Sequence, residues 1–485
     1  MVNDRTDCRQ VPALLAVALA FVSSHVLAGP EQDAEKLMKA SGVRGGLVVH
    51  AGCNDGRLTA SLATSDAFLV HGLDRDADNV KHARAHIRSK GLYGPVSVEQ
   101  WAGERLPYAD NVVNLLVMTD VGCQASREEI DRVLAPRGVV VIRKQDNADL
   151  ASTLQYPESS IGPDFVMFKK PIPSGIDDWT HWNHGPDGNR VAKDSVVGPP
   201  RRLQWVSGPL WARHHDMLPN ISAIVTAGGR LFYIMDESHT SIDTLPGRWS
   251  LLARDAFNGL LLWRQPIKEW GSTGWNEQKV RWEPHIGLSK FPLQINRRLV
   301  ATEGDVFVTL GFNAPVTVLD PETGEIKRTL PNTASTEEIL HRNGILYLSI
   351  NETGGLGKRI VAADADTGRS LWNSDVYEGI TTKSDELKQH THVNLTLGDK
   401  NLFFLSTDRV VCLDLKSGNG RWQFPFPFGA EKGEKYTRYY YPHIITMVYH
   451  NGVPRHQNAV GFSMASRIGG EKYGIPAQRR AAGES

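Results

Sequence analysis

Four copies of an Asp-x-x-x-Gly turn, three of them followed four residues later by tryptophan, recur in the second half of this 485-residue chain. They stand at Asp255…Gly259…Trp263, Asp320…Gly324…Arg328, Asp364…Gly368…Trp372 and Asp414…Gly418…Trp422. Each follows a run with strand character, GRLFYIM, GDVFVTLGF, NGILYLSI or KNLFFLS, and a second apolar strand, LLAR, TVL, IVAA or VVCL, leads into the aspartate. A tight hairpin needs a residue at positive φ, which glycine supplies, and an aspartate can hydrogen-bond the turn amides. A unit of this kind cannot bury its own apolar face, so several must pack side by side. The glycines settle towards the ~40–50 residue period of a four-stranded blade. The repeat predicts an all-β propeller over residues 172–450, with Trp263, Trp372 and Trp422 packed between neighbouring blades.

The chain is too long for one ordinary core, and its 41% apolar content suits globular domains. Lys plus Arg and Asp plus Glu both total 54, so the global charge favours neither nucleic acid nor an anionic membrane. At the start, Arg5 and Arg9 precede an apolar run from Val11 to Leu27, with small residues at Ala28 and Gly29. Residues 1–28 read as a secretory signal peptide, with an uncleaved anchor as the alternative. After cleavage no transmembrane span is expected, and the protein would be exported to the periplasm or cell envelope. Of the four cysteines, Cys53, Cys123 and Cys412 follow the leader, an odd and scattered set, so no disulfide joining the two halves is expected.

Residues 29–171 alternate between helix-like and strand-like segments. EQDAEKLMKA leads into GLVVHAG, then FLVHGLDRD, the amphipathic DADNVKHARAHIRSKGL, VSVEQW, NVVNLLVM, SREEIDRVLAP and GVVVIRK. This order predicts an α/β, Rossmann-like, doubly wound sheet, with DFVMFKKP as a final edge strand. The glycine turn after the first strand (Gly52, Asn54, Gly56), the acid ending the second (Asp74) and the segment ERLPYADNVVNLLVM resemble the class I S-adenosylmethionine-dependent methyltransferases over roughly 140 residues. That resemblance implies a cofactor cradled by Gly52, Asn54 and Gly56, with Asp74 accepting hydrogen bonds from the ribose. Two departures stand against it: His50 replaces the acid before the turn, and Asn54 replaces the middle glycine. An exported domain also meets little S-adenosylmethionine, so a degenerate domain kept for binding or packing is the leading expectation.

The repeat, clearest at Thr367-Gly368…Trp372, resembles the pyrroloquinoline-quinone-type (PQQ-like) repeat of quinoprotein dehydrogenases and of related non-catalytic outer-membrane assembly propellers. DDWTHWNHGPDGNR resembles the segment that precedes the first blade in that family. The resemblance implies pyrroloquinoline quinone with calcium as one cofactor set, although the adjacent cysteine pair of the quinone-dependent alcohol dehydrogenases is absent. Trp and His crowd between Trp205 and His285, and Trp211, His214, His215, Trp282 and His285 are candidates for a propeller-face ligand. Under a quinone-dependent reading, Asp216, Asp236 and Glu237 are candidate bases. His390 and His392 lie on one side of a predicted strand and are candidate metal ligands, two being too few alone.

Beyond His450 the notable feature is a tail, residues 451–485, read as irregular apart from the strand-like start MVYHNGV, so the propeller is expected to be incomplete. The leading functional expectation is an exported scaffold or binding protein whose partner is a protein or saccharide of the envelope. A PQQ-dependent oxidoreductase acting on alcohols or sugars and an S-adenosylmethionine-dependent methyltransferase are the alternatives.

Overall fold

The computed structural model describes residues 29–102, 105–119, 125–145, 148–199, 203–208, 221–238, 247–268, 295–352, 357–379, 393–406, 409–425, 446–450, 452–457 and 463–465. The leader, Trp211, His214, His215, Asp216, Trp282, His285, His390, His392 and the chain after 465 lie outside the described residues.

The first lobe is a seven-stranded sheet in the order β3-β2-β1-β4-β5-β7-β6. Its strands are β1 (Gly46–Ala51), β2 (Phe68–Asp74), β3 (Val96–Gln100), β4 (Val113–Met118), β5 (Leu134–Arg143), β6 (Glu158–Ile161) and β7 (Phe165–Lys169). The first five are parallel, and β7 runs antiparallel between β5 and β6. The segment expected at the edge is therefore internal, and the edge falls to the exposed β6. A short polar strand at an edge leaves the apolar FVMF to be covered on both sides.

Alternation explains why this sheet is buried on both faces. Val48, Leu115 and Val139 face one core with helices α1 (Pro30–Ser41) and α3 (Ala77–Ser89), while Val49, Leu116 and Val140 face a second with α4 (Arg127–Val133). The α3 helix starts where Asp76 accepts hydrogen bonds from the Asp78 and Asn79 amides, and α4 where Ser126 accepts from Glu129. Cys53 and Cys412 are free and buried in separate lobes. Among the described residues no helix is long and apolar enough to cross a membrane.

The second lobe is a series of antiparallel sheets forming an incomplete propeller. Four have four strands, β8–β11 (Ile221–Ala227, Arg230–Asp236, Trp249–Asp255, Leu261–Pro266), β12–β15 (Leu299–Ala301, Val306–Thr309, Val316–Leu319, Ile326–Thr329), β16–β19 (Thr336–Arg342, Ile345–Asn351, Gly357–Asp364, Ser370–Glu378) and β20–β23 (Thr396–Leu397, Asn401–Leu405, Arg409–Asp414, Gly420–Pro425). A fifth has three, β24–β26 (Thr446–His450, Val453–Gln457, Ser463–Ala465). Strand structure thus continues past His450, because β25 closes a hairpin on β24 through Gly452.

A ring from one sheet seals the turn of the next. Trp263 donates its Nε1 hydrogen to the Pro321 carbonyl (3.0 Å) and Trp372 to that of Leu415 (3.1 Å). Arg328, standing where the repeat has tryptophan, donates Nη2 to the equivalent carbonyl of Ala365 (2.9 Å). Trp205, upstream of the first sheet, does the same to Ala256 (3.0 Å). A Cβ on Gly324 or Gly418 would stand 2.5 or 2.4 Å from the covering indole, so glycine is required there by the ring as well as by its positive φ. Trp263 and Trp372 are buried as expected, whereas Trp422 is half-buried against Phe403.

The segment DDWTHWNHGPDGNR works as a clasp. Its backbone carbonyls accept from the first strand of four sheets: Trp179 from Thr226, Thr180 from Ala301, Pro186 from Leu397 and Asp187 from Tyr449. The remaining sheet is reached by His181, whose Nε2 accepts from the His341 amide (3.0 Å). All five bonds fall at or near the ends of these strands, so the clasp crosses one end of the ring's inner edge.

Candidate functional site

The turn after β1 keeps the backbone of a cofactor loop. Gly52, Asn54 and Gly56 have φ of 82°, 44° and 77°, and a Cβ on Gly56 would stand 2.7 Å from that of Ala83, so this glycine lets α3 pack closely. The side chains tell a different story. Asp74 accepts from the Asn54 amide at Oδ2 (2.8 Å), and from the Asp76 amide (2.9 Å) and Asn79 Nδ2 (3.2 Å) at Oδ1. Asn79 Nδ2 also lies 3.5 Å from Asn54 Oδ1, so the two asparagines bracket the carboxylate, which is 4% exposed.

His50 lies wholly inside the lobe. Thr119 donates its only hydroxyl hydrogen to the Gly52 carbonyl (3.0 Å), so it accepts from His50 Nε2 (2.8 Å), and Nδ1 accepts from Thr59 (2.8 Å). This assigns the neutral Nε2–H tautomer. Burial first, then Arg143, lowers its pKa to about 4. The imidazole ties β1 to the helix α2 (Arg57–Ser61) and to Thr119 at the end of β4, and brings no negative charge to the turn.

S-adenosylmethionine is the cofactor this kind of domain implies. Described residues Gly52, Asn54, Gly56 and Asp74 come together as the sequence placed them, with two features specific to this chain. The acid that would accept ribose hydroxyls is engaged by its own loop, and a side chain stands at the middle-glycine position.

On the propeller, Asp236 is buried at the end of β9 and accepts from the Ser238 amide, the Ser238 hydroxyl and the Arg248 amide (3.0, 2.6 and 2.9 Å). Glu237 pairs with Arg264 (2.9 Å). These carboxylates hold a loop and a strand edge. Among the described residues no three His, Cys, Asp or Glu side chains converge as a metal site.

The contact between the lobes is a polar feature that sequence reasoning missed. Asn114 on β4 donates Nδ2 to Asp255 Oδ2 (2.7 Å), while its Oδ1 accepts from the Leu47 amide (2.8 Å) and Asn258 Nδ2 (2.7 Å). Asn258 also donates to the Val112 carbonyl (2.9 Å). Gly45 and Gly46 make the approach close, since a Cβ on Gly45 would stand 2.9 Å from Leu262 and one on Gly46 2.0 Å from Asn114 Oδ1. The signal available in the sequence was Asn258 itself, an asparagine where the other copies carry Thr323, Thr367 and Ser417.

Comparison with known proteins agrees with this two-lobed architecture. Residues 247–439 match the family described as outer membrane protein assembly factor BamB, and residues 48–138 match the methyltransferase domain family. The chain thus joins a methyltransferase-type domain to a BamB-like, PQQ-type repeat domain. An uncharacterized protein of Haemophilus influenzae is 28% identical over 101 residues, 19% of this chain and 40% of that protein's length. Similar solved structures include a putative S-adenosyl-L-methionine-dependent methyltransferase from Methanococcus maripaludis, 16% identical, with a TM-score of 0.26 over 30% of this chain and 87% of that one. Another is a SAM-dependent methyltransferase from Aquifex aeolicus, 17% identical, with a TM-score of 0.25 over 28% and 88%.

Proposed function

We propose that the chain is an exported scaffold or binding protein of the cell envelope, whose propeller presents loops to a protein or saccharide partner. The methyltransferase-type lobe serves in it as a docked packing module. The observation that carries this reading is the latch of Asn114, Asp255 and Asn258, which commits the first repeat turn to the sheet of the other lobe. Removing one partner of such a network leaves the others unsatisfied, at about 1–3 kcal/mol each when buried. The internal engagement of Asp74 and the neutral His50 support the same reading, because they stabilise the turn without a ligand. Export is supported by the leader-like pattern from Arg5 to Ala28.

Calorimetric titration of the full chain with S-adenosylmethionine tests the packing role. No saturable heat is expected, and a micromolar Kd would overturn it. Fractionation tests export: recovery in the cytosol with the leader uncut would end that part of the proposal.

A further inference from the structure

At the end of the sheet opposite the cofactor turn, the lobes border an open cleft of about 90 Å³. One wall is the loop after α1 with the starts of β4 and β5, and the other is the β8–β9 hairpin at Gly228 and Gly229. Four basic side chains, Arg44, Arg137, Lys169 and Arg230, line it against two acidic ones, Asp255 and Glu322.

Both acids are already engaged. Glu322 accepts from Arg230 (2.5 Å), and Asp255 accepts from Asn114 and from the Phe257 and Asn258 amides. Arg137 pairs with Glu303, outside the lining. Arg44 and Lys169 have no ion-pair partner among the described residues, so the cleft holds an excess of positive charge. Arg137 reaches it from a left-handed backbone (φ 68°), a conformation that side-chain-bearing residues adopt at a cost. Burial lowers the pKa of Arg230 and Arg137 adds to this, while the paired Glu322 carboxylate opposes it.

We propose that this cleft binds a tetrahedral oxyanion, either inorganic phosphate or the phosphoryl group of a small ester. Arg44 and Lys169 supply the unpaired charge, and Arg137 and Arg230 supply guanidinium donors from opposite lobes. Guanidinium groups match phosphoryl oxygens in pairs, and cations arriving from two lobes suit an anion with three or four oxygens better than a carboxylate with two. The site shares no residue with the cofactor turn, so it stands apart from the outcome with S-adenosylmethionine.

The test is calorimetry on the full chain with sodium phosphate, glycerol 3-phosphate and, at matched ionic strength, sodium chloride. Saturable binding of phosphate and none of chloride is expected, and the tighter of the two phosphate ligands tells free ion from ester. The double substitution Arg44→Ala and Lys169→Ala should weaken binding by about tenfold or more, as loss of charge-assisted hydrogen bonds implies. Both residues are exposed, so thermal unfolding in phosphate-free buffer should not change. Heats indistinguishable from chloride, or a double variant that binds like the parent, would overturn the proposal.

Discussion

Asp255 in the first sheet and Asp414 in the fourth hold the same place in the repeat, and each accepts two turn amides at Oδ1. Their surroundings drive their acidities in opposite directions. Burial under the other lobe is the largest influence on Asp255 and raises its pKa, whereas the Arg421 guanidinium holds Asp414 down at about 2. The residue three places on differs accordingly: Ser417 turns its hydroxyl back to Asp414 (3.0 Å), while Asn258 turns its amide outward to Val112 and Asn114. One backbone turn therefore serves as a closed surface loop or as a docking element, and the side chain at that third position selects which.

The covering rings test whether the shared backbone has a shared cause. Trp372 lies over Gly418 and is 9% exposed; Trp205 lies over Gly259 and is half-buried. Trp372→Ala is expected to lower stability by about 3–5 kcal/mol, as for other buried aromatic truncations. Trp205→Ala should cost less, and chemical denaturation would measure both. Equal losses would mean that the burial of the ring does not set how much it contributes to holding the turn.

Docking is tested by exchanging the third-position residues. Asn258→Thr restores the residue found at 323 and 367 and should leave the first turn intact, but it strips Asn114 and Val112 of a donor, with an expected loss of about 1–3 kcal/mol. Ser417→Ala removes one exposed hydrogen bond and should cost within about 1 kcal/mol. Asp255→Asn sharpens the contrast. Its new amide would face Asn114 Nδ2, and Asn114 cannot flip without losing Leu47 and Asn258. Limited proteolysis between the lobes should therefore speed up in Asp255→Asn and not in Asp414→Asn, whose stability should move by about 1 kcal/mol or less.

Periodicity carries the fold in this chain, and it was legible for that reason. Alternating pairs such as Val48 and Val49 announced a sheet buried on both faces, and the recurring Asp and Gly announced the hairpins. The position of β7 was not legible, because FVMF reads as a buried strand wherever it sits and only pairing partners fix its order. The candidate site was read by position and not by state. Gly52, Asn54, Gly56 and Asp74 do assemble, yet the bracket of Asn54 and Asn79 over Asp74 depends on side chains brought together across a helix start. The latch escaped because its halves, Asn114 and Asn258, are distant in sequence and neither is unusual alone. The clasp was visible as a motif, but its bonds to five sheets depend on a ring geometry that local pattern does not encode.

Acid offers the subtlest way to break the comparison. An unfolded aspartate titrates near about pH 3.9. Asp414, depressed to about 2 when folded, contributes stability that is present above the unfolded value and is lost as pH falls towards 2. Asp255, raised by burial, has the opposite sign: its charged form opposes folding at neutral pH, and acidification relieves that penalty. At about pH 3, between these limits, hydrogen exchange should accelerate at the Lys416 and Ser417 amides before it does at Phe257 and Asn258. The Asp414→Asn variant should lose this acid sensitivity at the fourth turn, since an amide keeps the turn acceptor and cannot titrate. If the first turn opened first instead, the latch would not be shielding Asp255, and the two turns would differ only in their nearest cation.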